Sequence, residues 1–232
     1  MNLSLKTITH SVVGLLLVVS VANITFVVRS VGEQKTHITD ARTVAGTVGG
    51  DYLQLVQEIH AIKYDIAQVQ QWLTDISATR GLDGLDDGPK QAEEFARDLE
   101  RTLTTATRRS DTLGLKLLKD ALGQVDRAFA PYYETGKRMA KAYVQFGPEG
   151  GNALMAEFDK TAEAIQDRLD HTNTLLETAV ASAVGRMEEK LASVNRQGEF
   201  LFNASLASGA LMTGVVIAVA FVLLRLIIAP LG

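Results

Sequence analysis

Residues 38–76 read ITDARTVAGTVGGDYLQLVQEIHAIKYDIAQVQQWLTDI. The apolar positions of this stretch recur at steps that alternate between three and four: Ile38, Ala41, Ala45, Val48, Tyr52, Leu55, Ile59, Ile62, Ile66, Val69, Leu73 and Ile76. Such steps keep one face of an α-helix apolar, as in helices that pack along their length. The pattern predicts one long helix that buries this seam against other helices.

Three glycine-containing breaks follow, at residues 81–88, 110–114 and 147–151. Apolar seams resume between them: Phe95, Leu99 and Leu103, then Leu118, Leu122, Val125, Phe129, Tyr132, Gly136, Met139, Tyr143 and Phe146, then Phe158, Ala162, Ile165, Leu169, Thr172, Leu176, Ala179 and Ala183. The sequence predicts four helices, at about residues 30–80, 89–109, 115–146 and 152–199. We expect an all-α fold in which they form an antiparallel four-helix bundle.

Acidic residues are confined to the middle of the chain. All 27 Asp and Glu of the 232 residues lie between Glu33 and Glu199. Residues 8–28 contain no Asp, Glu, Lys or Arg, and residues 200–224 contain no ionisable group. An apolar helix of 20 or so residues spans about 30 Å, the thickness of a bilayer core. The two runs are therefore predicted to be transmembrane helices that anchor the bundle.

The distribution of basic residues predicts the orientation in the membrane. Lys6 favours a cytoplasmic tail at residues 1–7, which places residues 29–199 outside, in the periplasm if the membrane is a bacterial inner membrane. Cleavage as a secretory signal is the alternative for the first run, because Ser20-Val21-Ala22 resembles a cleavage site. The apolar run continues for six residues beyond Ala22, which favours an uncleaved anchor.

Composition argues against several classes of protein. The chain has no Cys, so thiol catalysis and Cys-based metal sites are excluded, and its acidic middle would repel the phosphates of a nucleic acid. His60 and His171 lie beside the apolar seams and are expected to face solvent, which argues against a metal site between them. No spacing suggests catalytic chemistry. We expect a non-enzymatic protein with no cofactor.

Several segments resemble those of a known receptor family. They are QVQQWLTDISAT at 68–79, YYETGKRM at 132–139, the block at 147–159 and RLIIAPLG at 225–232. These segments and the order of the elements are similar to the N-terminal sensory portion of a bacterial methyl-accepting chemotaxis protein. The resemblance implies a periplasmic sensory bundle between two membrane spans, with the start of a HAMP linker at 225–232. It also implies chemotaxis signalling, for which the cytoplasmic part that couples to the kinase is absent here.

A homodimer is expected, since only the first and last helices are long enough to reach the membrane and one such pair buries little surface. The resemblance implies that the ligand is a small molecule or a periplasmic binding protein. Two alternatives remain open. One is the input half of a sensor histidine kinase, and the other is a truncated or structural two-span bundle protein without signalling output.

Five residues are candidates for binding a small organic anion: Trp72, Arg80, Tyr133, Lys137 and Arg138. Extending the first seam by one step places Arg80 at a core position, where a guanidinium needs a partner. Tyr133, Lys137 and Arg138 would line a facing helix. The alternatives are that Arg80 caps the bundle against Asp83, Asp86 or Asp87, and that the basic residues form a solvated stripe.

Small residues form a second group of candidates. Ala45 and Gly49 in the first helix and Ala179 and Ala183 in the last lie at similar sequence distances from the two apolar runs. Small side chains would ease sliding of one helix along the other, as the receptor resemblance implies. The alternative is that they only narrow the bundle. Pro230 is the candidate at the junction with the linker.

Overall fold

The structure, a computed structural model, describes residues 5–82 and 84–227. Within these residues it is helical with no strand, so the all-α expectation is confirmed. The helices are α1 (Leu5–Thr47), α2 (Leu53–Thr79), α3 (Gly88–Thr112) and α4 (Lys116–Ile227), with a π-helix (Val48–Tyr52) between α1 and α2. The chain divides into a central unit, Gly46–Gly185, and a terminal unit, which comprises Met1–Ala45 and Arg186–Gly232.

The central unit is built around one hydrophobic core. The predicted seam is buried at every position from Tyr52 to Ile76. Four helical segments contribute to the core: 55–76 of α2, 92–106 of α3, and 118–143 and 158–176 of α4. Each fully buried Leu or Ile contributes about 1.5–3 kcal/mol, so the shared seam is the main stabilising feature of this unit.

Two residues at the ends of the predicted seams are exposed rather than buried. Ile38 is exposed, because it belongs to the terminal unit and has no core layer around it. Phe146 is 70% exposed, because the chain changes direction at the next residue. In α3 the buried face also includes small residues outside the predicted seam: Ala92, Ala96, Ala106 and Ser110.

The connections from α2 to α3 and from α3 to α4 contain glycines in the left-handed backbone region. α2 ends at Thr79 and α3 begins at Gly88, with the backbone in the left-handed region at Arg80, Gly81 and Gly84. The turn between α3 and α4 lies at residues 113–115, with Gly114 at φ 71°. Both agree with the predicted breaks to within about three residues.

The third break is shorter than predicted. Only Gly147 leaves helical geometry, with φ 66° and ψ −160°, and it divides α4 into residues 116–146 and 148–227. This backbone region is open to glycine almost alone. Pro148 then occupies the first turn of the following helix, where its missing N–H is not needed. Gly150 and Gly151 are helical, and an added Cβ there would meet the rings of Phe146 and Tyr143.

The terminal unit holds the apolar runs. One helical stretch near each end of the chain contains a window long and apolar enough to cross a membrane, and no residue of either window is buried. The two helices contact each other through polar groups: Asn23 Nδ2 donates to Ser208 Oγ, and Gln197 Nε2 lies 3.1 Å from His37 Nε2. From the first contact to the second, the residue number rises from 23 to 37 in one helix and falls from 208 to 197 in the other, so the two helices are antiparallel.

The sharp turn gives the first prediction. Gly147→Ala should lower the free energy of unfolding by about 1–3 kcal/mol, because an alanine Cβ is strained at this φ and ψ. Gly123→Ala is the control, since Gly123 is helical and an added Cβ there would meet only Arg127 Nη1 at 3.5 Å. Thermal unfolding followed by circular dichroism measures both variants. Equal melting temperatures for the two variants would contradict the role of this turn.

Candidate functional site

An aromatic and cationic stripe runs along the first part of α4, and it contains two of the predicted binding residues. The rings of Phe129 and Tyr133 stack with centroids 5.6 Å apart and planes within 8°. Lys137 Nζ lies 4.5 Å from the Tyr133 ring centroid, which is a cation–π contact, and 2.5 Å from Glu134 Oε1. The spacing of four residues places all three side chains on one face of the helix.

Burial raises the pKa of the Tyr133 phenol above its ordinary value, and Lys137 partly opposes this. Glu93 and Arg97 of α3 also act on it, with opposite signs, so Tyr133 faces α3. The phenol therefore stays protonated at neutral pH and can donate a hydrogen bond. Beside the Lys137 ammonium, it forms a pair of donors suited to an anionic group.

Arg138 points to a different partner. Its Nη2 lies 2.6 Å from Glu157 Oε1 and 3.2 Å from Thr135 Oγ1. Glu157 belongs to the part of α4 that follows Gly147, so this ion pair joins the two helical segments on either side of the turn. The ion pair thus directs the Arg138 guanidinium to Glu157, and both side chains remain about half exposed.

Arg80 does not continue the buried seam, and that expectation was wrong. The residue is exposed and adopts the left-handed conformation (φ 53°), which ends α2 and turns its side chain off the helical face. Its Nη1 would lie 3.3 Å from a Cβ at Gly147. Among the described residues, neither Asp86 nor Asp87 forms an ion pair with Arg80, and Asp83 lies outside the described residues.

Trp72 is half-buried and packs against the core of the central unit. Its indole N–H is buried and has no acceptor among the described residues. Of the five predicted binding residues, then, Tyr133 and Lys137 are in direct contact, Arg138 is turned to Glu157 and Arg80 lies beside Gly147. A single pocket containing all five therefore stays a prediction.

The small residues differ in their surroundings. Ala183 is buried, Ala45 and Ala179 are half-buried, and Gly49 is exposed within the π-helix. A Cβ added at Gly49 would meet nothing within 4 Å, so no neighbour requires a glycine there. Pro230 lies outside the described residues. The sliding role of these residues stays a prediction.

A charged cluster around Arg109, near the end of α3, was not predicted from the sequence. Arg109 binds Glu58 through two nitrogens, with Nη2–Oε1 at 3.0 Å and Nε–Oε2 at 3.1 Å. Its Nη1 also lies 3.2 Å from Oδ1 of Asp51 in the π-helix. The hydrogen bond to Glu58 is the main cause of the raised pKa of Arg109. No spacing in the sequence signals this cluster, because it depends on the register between α2 and α3.

The cluster gives the second prediction. Arg109→Gln should lower the free energy of unfolding by about 2–3 kcal/mol, because it leaves Glu58, whose side chain is only 16% exposed, without its cationic partner. Arg101→Gln is the matched control on the same helix. Arg101 pairs with Asp98 while 77% exposed, so its loss should cost less than about 1 kcal/mol. Similar unfolding midpoints for the two variants would show that the Arg109 cluster adds no stability.

A buried carboxyl group is the second feature that the sequence did not reveal. Asp65 precedes the core position Ile66 and is buried on α2. Burial, with a smaller contribution from Asp98, raises the pKa of Asp65 from 3.8 to about 6. The folded state therefore favours the protonated acid more than the unfolded state does.

This pKa gives the third prediction. Because the folded pKa is raised, the stabilising contribution of Asp65 is complete below about pH 3.8 and is lost as the pH rises through about 6. The difference corresponds to at most about 3 kcal/mol. Asp65→Asn should be more stable than the wild type at pH 8, and the two should converge at pH 4. Parallel stability curves across this pH range would contradict the assignment.

The remaining candidate residues behave as ordinary surface groups. His60 and His171 are exposed, as the sequence predicted. In the part of the chain that the structure describes, no group of three His, Asp or Glu side chains is placed to hold a metal ion. Comparisons with protein-family models, with curated proteins and with solved structures found no match.

Proposed function

We propose that the chain is the sensory and membrane-spanning part of a two-span receptor, of the kind that serves bacterial chemotaxis. One observation carries the proposal: a helical unit with its own core is flanked by two helical windows whose apolar residues are all unburied. Apolar surface of this extent is unfavourable in water and favourable in lipid. A helix satisfies its own backbone hydrogen bonds, as the bilayer requires.

The central unit is proposed to be an antiparallel four-helix bundle outside the cytoplasm. Its support is the core shared by four helical segments and the polar contacts between segments that are neighbours in sequence. Arg109 joins α3 to α2, Lys119 of α4 joins Asp111 of α3 at 2.7 Å, and Arg138 joins the two parts of α4. Short connections between such segments favour antiparallel neighbours.

The binding site is proposed to lie at Tyr133 and Lys137. The Lys137 ammonium has three N–H donors, and one of them faces Glu134. With the protonated phenol of Tyr133 and the nearby guanidinium of Arg97, it suits a small carboxylate. A ligand that favours one arrangement of the helices shifts the population toward it, and no covalent chemistry is needed. The receptor is proposed to act as a homodimer in a bacterial inner membrane.

The fourth prediction tests sensing. The full chain in detergent is screened by thermal shift against amino acids, dicarboxylates and other small organic acids. At least one compound should raise the melting temperature, and Lys137→Gln should reduce that increase because it removes the cationic donor. Lys160→Gln, which changes an exposed lysine elsewhere on α4, should leave it unchanged.

A second measurement connects binding to movement. His37→Cys and Gln197→Cys place two thiols where the terminal helices contact each other, and the chain has no other cysteine. The identified compound should change the rate at which this disulfide forms. Ala183→Leu should reduce that change, because Ala183 is buried and a larger side chain restricts packing there. If no compound binds, or if binding leaves the rate unchanged, a structural two-span protein is the better account.

A further inference from the structure

A cavity of about 320 Å³ lies in the terminal unit, between its two antiparallel helices. Its apolar side is formed by Phe26, Phe200 and Leu201, and its polar side includes Arg29, Glu33 and Gln197. Phe26 belongs to the first apolar run, and Phe200 begins the second. The cavity therefore lies where the apolar surface gives way to the charged part of the chain. Its volume is within the usual range for a small-molecule site.

The charged side of the cavity carries one group of each sign. Arg29 Nε lies 3.3 Å from Glu33 Oε1. The two side chains remain 82% and 64% exposed, so each keeps hydrogen-bonding capacity toward a third group. An exposed pair of this kind contributes little to stability by itself. The pair offers donors to an anion and acceptors to a cation, with no net charge.

Gln197 has one paired and one unpaired amide atom. Its Nε2 contacts Nε2 of His37 at 3.1 Å, while its Oε1 is buried and has no partner among the described residues. A buried carbonyl oxygen without a donor costs free energy, and a ligand N–H that reaches it would remove that cost. Gln197 and Glu33 both line the cavity, so this unpaired acceptor belongs to a residue of the cavity wall.

We propose that this cavity binds the phosphoethanolamine headgroup of a zwitterionic phospholipid. The Arg29 guanidinium donates to the phosphate, and the ammonium group donates to Glu33 and to Gln197 Oε1. Phe26, Phe200 and Leu201 contact the apolar part of the lipid next to the headgroup. Choline is a poorer fit because a quaternary ammonium has no N–H donor. A purely anionic headgroup is a poorer fit because Glu33 opposes its charge.

The inference rests on the membrane insertion proposed above. The test is native mass spectrometry of the full chain in detergent with three lipids that share the same acyl chains and carry phosphoethanolamine, phosphocholine or phosphoglycerol headgroups. The phosphoethanolamine lipid should bind about tenfold more tightly than the other two, as expected for charge-assisted hydrogen bonds. Glu33→Gln and Gln197→Leu should each reduce this preference severalfold. Glu189→Gln and Asn195→Leu, which change exposed residues that do not line the cavity, should retain it.

Each other outcome counts against the proposal. Equal binding of the three lipids, or an unchanged preference in both cavity variants, overturns it. Tighter binding of soluble O-phosphoethanolamine than of the lipid would assign the site to a free headgroup metabolite instead. A protein that binds none of the three lipids, as monomer or as dimer, also overturns it. Extraction of membranes with carbonate separates the two proposals: if the chain resists extraction but shows no lipid preference, only this inference fails.

Discussion

Burial of one apolar seam, from Tyr52 to Ile76, is the interaction on which the central unit depends. The other three segments of the core bring their own Leu, Ile, Val and aromatic side chains to it. Glycines then allow these segments to pack closely against one another and the chain to turn between them. An added Cβ at Gly136 would lie 2.6 Å from Leu73 and 2.8 Å from Phe158, so glycine is required where these three segments meet. Gly147 supplies the backbone geometry that lets the two parts of α4 share one core.

Apolar residues are buried in the central unit but remain unburied in the helices at the two ends of the chain. The residues there are as apolar as those of the core, yet the structure buries none of either apolar window. The hydrogen bond from Asn23 to Ser208 is one of the polar contacts that join these two helices. A polar pair between otherwise apolar helices suits a lipid environment, where side chains of this kind hold helices together. Apolar surface that the protein does not bury is thus the reason for proposing a membrane.

The parts of this structure that follow from local spacing could be predicted from the sequence. The seam of α2, most of the seams of α4 and the first two breaks depend only on residues close together along the chain. The third break was predicted too long, since five residues rich in Gly and Pro suggested a loop but only Gly147 turns. Arg80 was misjudged because a step of four presumes that the helix continues, whereas the backbone leaves helical geometry at that residue.

Features that depend on the register between segments could not be predicted. The pairing of Arg109 with Glu58 joins residues 51 positions apart, and nothing in the spacing of either helix selects it. Asp65 is buried because the contact face of α2 is wider than its seam, which the heptad pattern does not specify. The π-helix at Val48–Tyr52 could not be predicted either, since the apolar steps of three and four continue through it without interruption. Of the predicted binding residues, the spacing of four correctly placed Tyr133 and Lys137 together.

Both apolar helices are proposed to cross a membrane and to leave the central unit outside the cytoplasm. Because the chain has no cysteine, single thiols introduced at exposed His60 and at Asn2 report their side of the membrane without background. In bacterial spheroplasts, a membrane-impermeant maleimide should label His60→Cys at once and Asn2→Cys only after permeabilisation. Protection of His60→Cys in intact spheroplasts, or labelling of both thiols from outside, would contradict the account.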